Sequence, residues 1–461
     1  MIPICWGFAE IYAIHNYKGF NSDHAIHAMM SRDFHFSEDL YYWNQNRLGS
    51  FIPMLGALLV SLGFSAMLAS VAVQYILLAA ILFFLYDLLK NKILGIALGL
   101  LLFFPHSSFI NQVLIGHPYL AQNFFICLLI WMFFKRERLP KKLLYFLLPL
   151  IFGFAVWSSE ISLASGIVFA LVFFKDIKPA LQRKNIIYPI FSFILSFGFI
   201  AYAKAFSNKT HNFDTQFIRF GDFWIGIKKM AHFIWETASF TTNKPPNSAL
   251  FYSLLLFLIL LLVFKKKFKF HKLSKFFLWS ALASFFLVTL SNWWMVSSYP
   301  LRYFAFSYLH LMLALLFLID SLKIHKWIFY PLIIAISASN AFSGIYLVNN
   351  FTLKVPDRAS KEEMLEISNM GDFGIIGSYW NSYAIDALSP KIEASPNSGY
   401  AVRYKRGVDL VFENDSIMII RNGYLDSLKD SVQEFNRTLI KIGKNKKIGQ
   451  LEYAFYQEIK K

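Results

Sequence analysis

Residues 19–51 read GFNSDHAIHAMMSRDFHFSEDLYYWNQNRLGSF. The stretch carries Asp23, His24, His27, Asp33, His35, Glu38 and Asp39 beside a Tyr-Tyr-Trp cluster. It stands near the start of a 461-residue chain that is 56% hydrophobic and 18% aromatic, with a mean hydropathy of +0.46. Few soluble chains are so apolar. Runs near the length that spans a bilayer, about 20 residues, recur through the first three quarters. Examples are MLASVAVQYILLAAILFFLY (67–86), NIIYPIFSFILSFGFIAYA (185–203), ALFYSLLLFLILLLVF (249–264) and FAFSYLHLMLALLFLI (304–319). The polar stretch is therefore a loop between membrane spans.

The net charge is +17, and its placement excludes a nucleic-acid partner. Basic residues cluster in short loops: Lys90 and Lys92, KRERLPKK (135–142), KDIKPALQRK (175–184), KKKFKFHKLSK (265–275), and Lys323 with Lys326. These are alternate loops, the pattern in which positive loops stay inside. Two cysteines, Cys5 and Cys127, both lie in apolar segments and imply no disulfide framework. No basic segment precedes Ile2, so no cleavable signal peptide is visible. The first residues look like a short span; twelve to fourteen residues reach only about 20 Å, less than a hydrocarbon core of about 30 Å. Either that helix is abnormally short or Met1 is not the natural start.

The expected fold is an all-α polytopic membrane protein of about eleven spans with a small C-terminal α/β domain on the external side. The spans fall near 1–14, 64–88, 93–108, 118–134, 142–158, 160–174, 185–206, 248–264, 274–295, 301–320 and 327–349. Basic loops inside put the opening loop (15–63) outside, and an odd span count puts the C-terminus there too. Residues 1–349 form the membrane domain and 350–461 the external domain. In the latter, KVPDRASKEEMLEISNM (354–370) reads as an amphipathic helix. DFGIIGSYW, KIEASP and SIMIIRNG read as strands, and LDSLKDSVQEFNRTLIKIG (425–443) as a helix. FGDFWIGIKKMAHFIWETASF (220–240) reads as a helix lying in the membrane interface.

Within the opening loop, Ser22 is a good N-cap and Asp23 begins the helix DHAIHAMMSRDF, where a first-turn acid is electrostatically favoured. Asp23 and His27 share a face. YYWNQNRLGSF carries aromatics suited to the interface, so the loop reads as two juxtamembrane helices. His24, His27 and His35 have helical spacing that could hold a divalent metal.

NSDHAIHAMM followed by YYWNQNRLGSFIPMLGALL resembles the first external loop of the GT-C membrane glycosyltransferases. The bacterial branch related to protein O-mannosyltransferases and to the enzyme that adds aminoarabinose to lipid A is the nearest in pattern. Asp23 falls on the aspartate after the first span in that family, and residues 41–50 on its aromatic, Gly- and Gln-rich stretch. SYPLRYFAFSYLHLMLALL resembles a late motif of the branch, with Arg302 and Tyr303 on its Arg-Tyr pair. IGSYWNSYAIDAL and KIEAS resemble the small C-terminal domain of some members. Asn44 stands where relatives carry Gly, and Arg47 where an aromatic is common. The next external loop, PHSSFINQVLIGHPYL, has no acid; Glu160 is the nearest other acid on the external rim.

The resemblance implies a sugar donor on a polyprenyl phosphate and a glycan, lipid or protein acceptor that attacks the anomeric carbon from outside the membrane. Asp23 is then the candidate general base, with Glu160 the second catalytic candidate. A leaving phosphate needs fixed positive charge, and arginine offers a planar fork for it. Arg302 is the candidate, with Tyr303, His117, His27, Trp43 and Gln45 as further substrate-binding candidates. Arg302 could equally be an interfacial anchor, and Trp293 and Trp294 aromatic-belt residues. Two rival functions stand beside this one: a secondary transporter, which would place ionisable groups at the bilayer midplane, and a non-catalytic scaffold of degenerate GT-C type.

Overall fold

The computed structural model describes residues 22–106, 109, 119–182, 184–207, 216–238, 271–297, 301–321, 326–350, 359–400 and 402–459. The expected first span, the span at 248–264, Cys5, His117 and the start of the helix expected at 354–370 lie outside the described residues.

The membrane domain is helical. Helix α1 (Ser22–Arg32) is followed by α2 (Phe51–Ser61), α3 (Ala66–Leu88), α4 (Leu94–Phe103), α5 (Tyr119–Phe134), α6 (Lys141–Ser158), α7 (Ser162–Val172) and α8 (Ile187–Phe206). Then come α9 (Phe220–Ala238), α10 (Lys272–Thr289), α11 (Asn292–Val296), α12 (Ala305–Ser321) and α13 (Lys326–Asn350). Among the described residues five helical segments are long and apolar enough to cross a membrane: α3, α6, α8, α10, and Arg302–Ser321, which joins a 3-10 turn to α12. The chain is thus a multi-pass membrane protein. Helices α10 and α12 pack along each other, as do α6 and α8, and α5 fits between α3 and α6. Small side chains let these helices approach: Ser280 links Ser165 to His310 Nδ1, the latter at 2.9 Å, and the Ser284 and Ser307 hydroxyls meet at 2.8 Å.

Charge sits at the two ends of the bundle. At one end Lys135 pairs with Asp87 (2.8 Å), Arg136 and Lys272 pair with Asp176, and Asp320 accepts from the backbone of Lys90 and Asn91. These basic loops gather as their alternation requires. At the other end lie Glu160, Lys204 and the opening loop. Gly49 donates to the Trp157 carbonyl (3.1 Å), and Trp157 Nε1 donates to the Leu40 carbonyl (2.9 Å). A Cβ on Gly49 would come within 2.7 Å of that Trp157 oxygen, so only glycine fits the contact.

The C-terminal domain adds α14 (Lys361–Ser368), β1 (Phe373–Gly377), α15 (Tyr379–Asp386), β2 (Ile392–Pro396), α16 (Lys405–Glu413), β3 (Ile417–Ile420), β4 (Ser431–Glu434), β5 (Arg437–Ile448) and β6 (Leu451–Glu458). They form one sheet in the order β2-β1-β3-β6-β5-β4, parallel among the first three strands and antiparallel thereafter. Ser360 and Glu363 form a capping box that starts α14 at Lys361, later than the helix expected over 354–370.

Four expectations are corrected. Residues 425–443 are not a helix: Val432 and Glu434 turn inward while Ser431 and Gln433 turn out, and the chain reverses at Phe435 (φ 51°) and Asn436 (φ 62°) into β5. Two successive left-handed residues make the hairpin turn whose twist matches the strands. The strand expected over 372–380 stops at Gly377, because Ser378 caps α15 by accepting from Asn381 N. The span at 274–295 ends at Thr289 and resumes as the short α11. In the opening loop the second helix begins at Phe51, after a bridge between Tyr41 and Gly49.

The opening loop and the C-terminal domain share one core. Ala25, Ile26, Met29, Met30, Tyr42 and Trp43 pack with Tyr383, Ile385, Met418 and Tyr453. Trp43 stacks on Tyr404 with ring centroids 4.1 Å apart. Arg32 Nη2 donates to Asp386 Oδ1 (2.8 Å), and Arg406 reaches Asp39 (3.1 Å). The two segments must lie on the same side of the membrane.

Two outcomes check this arrangement. With Cys5 and Cys127 replaced, Ser37→Cys and Ser398→Cys, both exposed, are expected to react with an impermeant maleimide from one side of the membrane, and Gln182→Cys from the other; Ser37 and Ser398 reacting from opposite sides would refute it. Arg32→Ala strands the fully buried Asp386 and is expected to cost about 3–5 kcal/mol in unfolding experiments. Burial pushes Asp386 up from 3.8 to about 7, with Arg32 opposing. A carboxyl whose folded value exceeds its unfolded one is tolerated when protonated, and its burden grows as pH rises through the folded value. The loss in Arg32→Ala should therefore be larger at pH 8 than at pH 5.

Candidate functional site

Asp23 occupies the first turn of α1, and three tyrosines (Tyr42, Tyr119 and Tyr379) and two arginines (Arg302 and Arg403) interact with it. Beside it, the Ser22 hydroxyl donates to the Tyr379 carbonyl at 2.7 Å, so that α1 is seated on α15 from its first residue. The Tyr379 hydroxyl then donates to Asp23 Oδ1 (3.2 Å), and the Tyr42 hydroxyl to the Asp23 carbonyl (3.1 Å). Burial, reinforced by the Asp23 charge, holds both phenols well above their usual range, so they remain donors.

Arg403 comes from the loop after β2. Tyr383 Oη accepts from the backbone N–H of Arg403 (2.8 Å) and Tyr404 (3.1 Å), which fixes that loop, and the Arg403 side chain hydrogen-bonds Tyr379. Burial opposes the Arg403 charge, while the hydrogen bond to Tyr379 and the Asp23 carboxylate support it. Arg302 stands at the start of the last of the five membrane-crossing segments, Arg302–Ser321. It hydrogen-bonds Tyr303 and interacts electrostatically with Asp23 and Tyr119. Arg302 Nε is buried with no hydrogen-bond partner among the described residues, a donor that an anion would satisfy. Arg47 projects from the opening loop over Trp293, 5.4 Å from the ring centroid, with Nε donating to Gln45 Oε1 (3.4 Å). Burial lowers its value and the like charge of Arg403 adds to this, against Tyr303, Tyr119 and Glu160.

With Asp23 and with Glu160, which acts on Arg47, the group sets three guanidiniums against two carboxylates, +3 − 2 = +1. Such a site favours a phosphate, and planar forks suit its oxygens. The charges sit where the opening loop, the membrane helices and the C-terminal domain meet.

The residues singled out in the sequence are distributed as follows. Asp23, Arg302 and Tyr303 fall in this group; Tyr303 Oη accepts from Trp293 Nε1 (2.9 Å). Gln45 is buried and holds Arg47. His27, one turn after Asp23, is buried with its ring 5.0 Å from that of Tyr42. Trp43 belongs to the seam between loop and C-terminal domain, where its Nε1 donates to Asp39 (2.9 Å). Glu160 is exposed, pairs with Lys204 (2.8 Å), and acts electrostatically on Arg47. His24 and His27 are buried while His35 is exposed. Among the described residues no three of His, Cys, Asp or Glu gather as a metal-ligand set.

Sequence reasoning missed Arg403, Tyr379 and Tyr119, and treated Arg47 only as a departure. The segment NSGYAVRYKRG (397–407), aromatic and basic in an acid-poor stretch, was the available signal for Arg403. Asn44, noted where relatives have glycine, adopts φ 63°, a left-handed conformation that Asn tolerates better than most residues. Its Nδ2 donates to the Val402 carbonyl (2.9 Å), beside Arg403.

No family model matches the chain, and no curated protein matches it. Eleven chains of solved structures do. One is the archaeal oligosaccharyltransferase AglB from Archaeoglobus fulgidus, solved in complex with an inhibitory peptide and a dolichol-phosphate. It has a TM-score of 0.44 and 11% identity, over 91% of this chain and 68% of that one.

Asn44→Gly keeps the backbone conformation and loses one hydrogen bond, an expected cost of about 1 kcal/mol. Asn44→Val adds a left-handed β-branched residue and should cost about 1–2 kcal/mol more. Thermal unfolding of both variants measures the difference; a valine variant as stable as the glycine one would contradict the assigned turn.

Proposed function

We propose that the protein is an integral membrane glycosyltransferase of the GT-C type, moving a sugar from a polyprenyl-phosphate carrier to a hydroxyl acceptor at the external face of the cell membrane. One observation carries the reading: Asp23 interacts with Arg302 and Arg403, with Arg47 coupled to Arg403 beside them, and the group contains a buried Arg302 donor with no hydrogen-bond partner among the described residues. The family resemblance of residues 21–30, 41–59 and 298–316 supports it independently.

A sugar phosphodiester carries one negative charge. As the acceptor oxygen bonds to the anomeric carbon, the bond from that carbon to the phosphate oxygen breaks, and the departing polyprenyl phosphate gains a second charge. The arginines oppose that growing charge, so they stabilise the transition state more than the ground state. The acceptor hydroxyl loses its proton to Asp23. Tyr379, a neutral donor on Oδ1, holds the carboxylate in place. Arg302 at a span end and Arg403 in the C-terminal domain would clasp the phosphate from both sides, while the polyprenyl chain stays in the bilayer.

Transfer from synthetic polyprenyl-phosphate sugars, assayed across a panel of sugars and acceptors, tests the roles. Asp23→Asn is expected to lower turnover about 10²–10⁴-fold with donor binding nearly unchanged. Arg302→Ala and Arg403→Ala should weaken donor binding and turnover together. Glu160→Gln, on the exposed rim, should retain most activity. Undiminished transfer by Asp23→Asn would refute the base assignment.

A further inference from the structure

A cavity lies at the opposite end of the bundle from Asp23. It occupies about 660 Å³ between α5, α6, α7 and α8, within the roughly 300–1,000 Å³ of small-molecule sites. Its shaft is apolar, formed by Leu129, Phe133, Leu148, Phe152, Phe169 and Phe193. Gly166 keeps it in shape: a Cβ there would lie 2.1 Å from Phe152 Cζ, so any other residue would push that ring from its seat. The mouth is charged, lined by Arg136, Lys141 and Lys175 with Glu137 and Asp176. Arg136 and Lys272 already neutralise Asp176. Lys141 and Lys175 have no ion-pair partner among the described residues and are both exposed. The two connections that meet here, 135–142 and 174–184, carry nine Lys and Arg against two acids.

This cavity cannot serve the site at Asp23. Helix α6 has 18 residues and is therefore about 27 Å long. Lys141 begins it, and Trp157, which holds the opening loop, lies in its last turn. An apolar shaft between membrane helices with a cationic mouth among basic loops fits a ligand with hydrocarbon at one end and phosphate at the other. We propose that the cavity binds one anionic glycerophospholipid of the surrounding bilayer, with an acyl chain in the shaft and its phosphate at Lys141 and Lys175. The assignment rests on the cavity alone and stands whether or not the protein transfers a sugar.

The full-length protein, purified in detergent, is titrated with phosphatidylglycerol and phosphatidylcholine of matched acyl chains, and bound lipid is counted by native mass spectrometry. The wild type is expected to retain phosphatidylglycerol preferentially. The double variant Lys141→Gln/Lys175→Gln, at exposed positions, should lower that preference about tenfold or more. Ala170 also lines the cavity, and Ala170→Trp, which adds an indole there, should abolish retention of the tightly held lipid. The proposal is overturned if the wild type shows no preference, if the lysine variant keeps it, or if a polyprenyl phosphate displaces phosphatidylglycerol from this cavity.

Discussion

Helix α1 lies against α15 along a seam that begins with the Ser22 hydroxyl on the Tyr379 carbonyl and ends with Arg32 on Asp386. Between these two polar anchors Ala25, Ile26, Met29 and Met30 are buried against the C-terminal domain. The seam joins residues more than 350 positions apart. It could not form if the membrane helices delivered the two segments to opposite sides. The seam also sets the chemistry. It places Tyr379 on Asp23 and brings the loop carrying Arg403 over the end of the bundle, so a shift along it would separate Asp23 from Arg403.

The membrane imposes the complementary constraint. Charges are costly within the hydrocarbon region, and here they collect at the two ends of the helices. At one end they neutralise each other, as in the Lys135–Asp87 and Arg136–Asp176 pairs. At the other end Arg47, Arg302 and Arg403 exceed the nearby carboxylates. An excess of buried like charge is unfavourable in the protein alone, and Arg47 is lowered by burial and by Arg403. That electrostatic cost is the expected signature of a site shaped for an anion. A transporter would instead need charged groups at the midplane, whereas Asp87, Asp320 and Lys204 sit near helix ends and the buried mid-span His310 is held by Ser280.

The spans were legible because apolar run length decides them: helices Ala66–Leu88, Lys141–Ser158 and Ile187–Phe206 lie within a few residues of the limits read from sequence. Strands β1, β2 and β3 were legible as short apolar runs bounded by turn residues. The β4–β5 hairpin was not. Its apolar residues repeat at a spacing that also suits a helix, and its turn depends on Phe435 in a left-handed conformation that phenylalanine rarely adopts. Asp23 and Arg302 were singled out by family resemblance, since neither a lone loop aspartate nor an arginine at a span end is distinctive by itself. The basic, aromatic segment 397–407 marks Arg403 only as a surface cation; its place beside Asp23, and that of Tyr379, comes from the seam, a long-range packing that no local pattern encodes.

The most direct measurement of the central claim is an experimental density map of the protein with polyprenyl phosphate bound in a lipid nanodisc. The phosphate should lie among the guanidiniums of Arg47, Arg302 and Arg403, beside Asp23, with the polyprenyl chain running between helices toward the bilayer. A phosphate bound elsewhere, with those three arginines closed onto protein carboxylates, would contradict it.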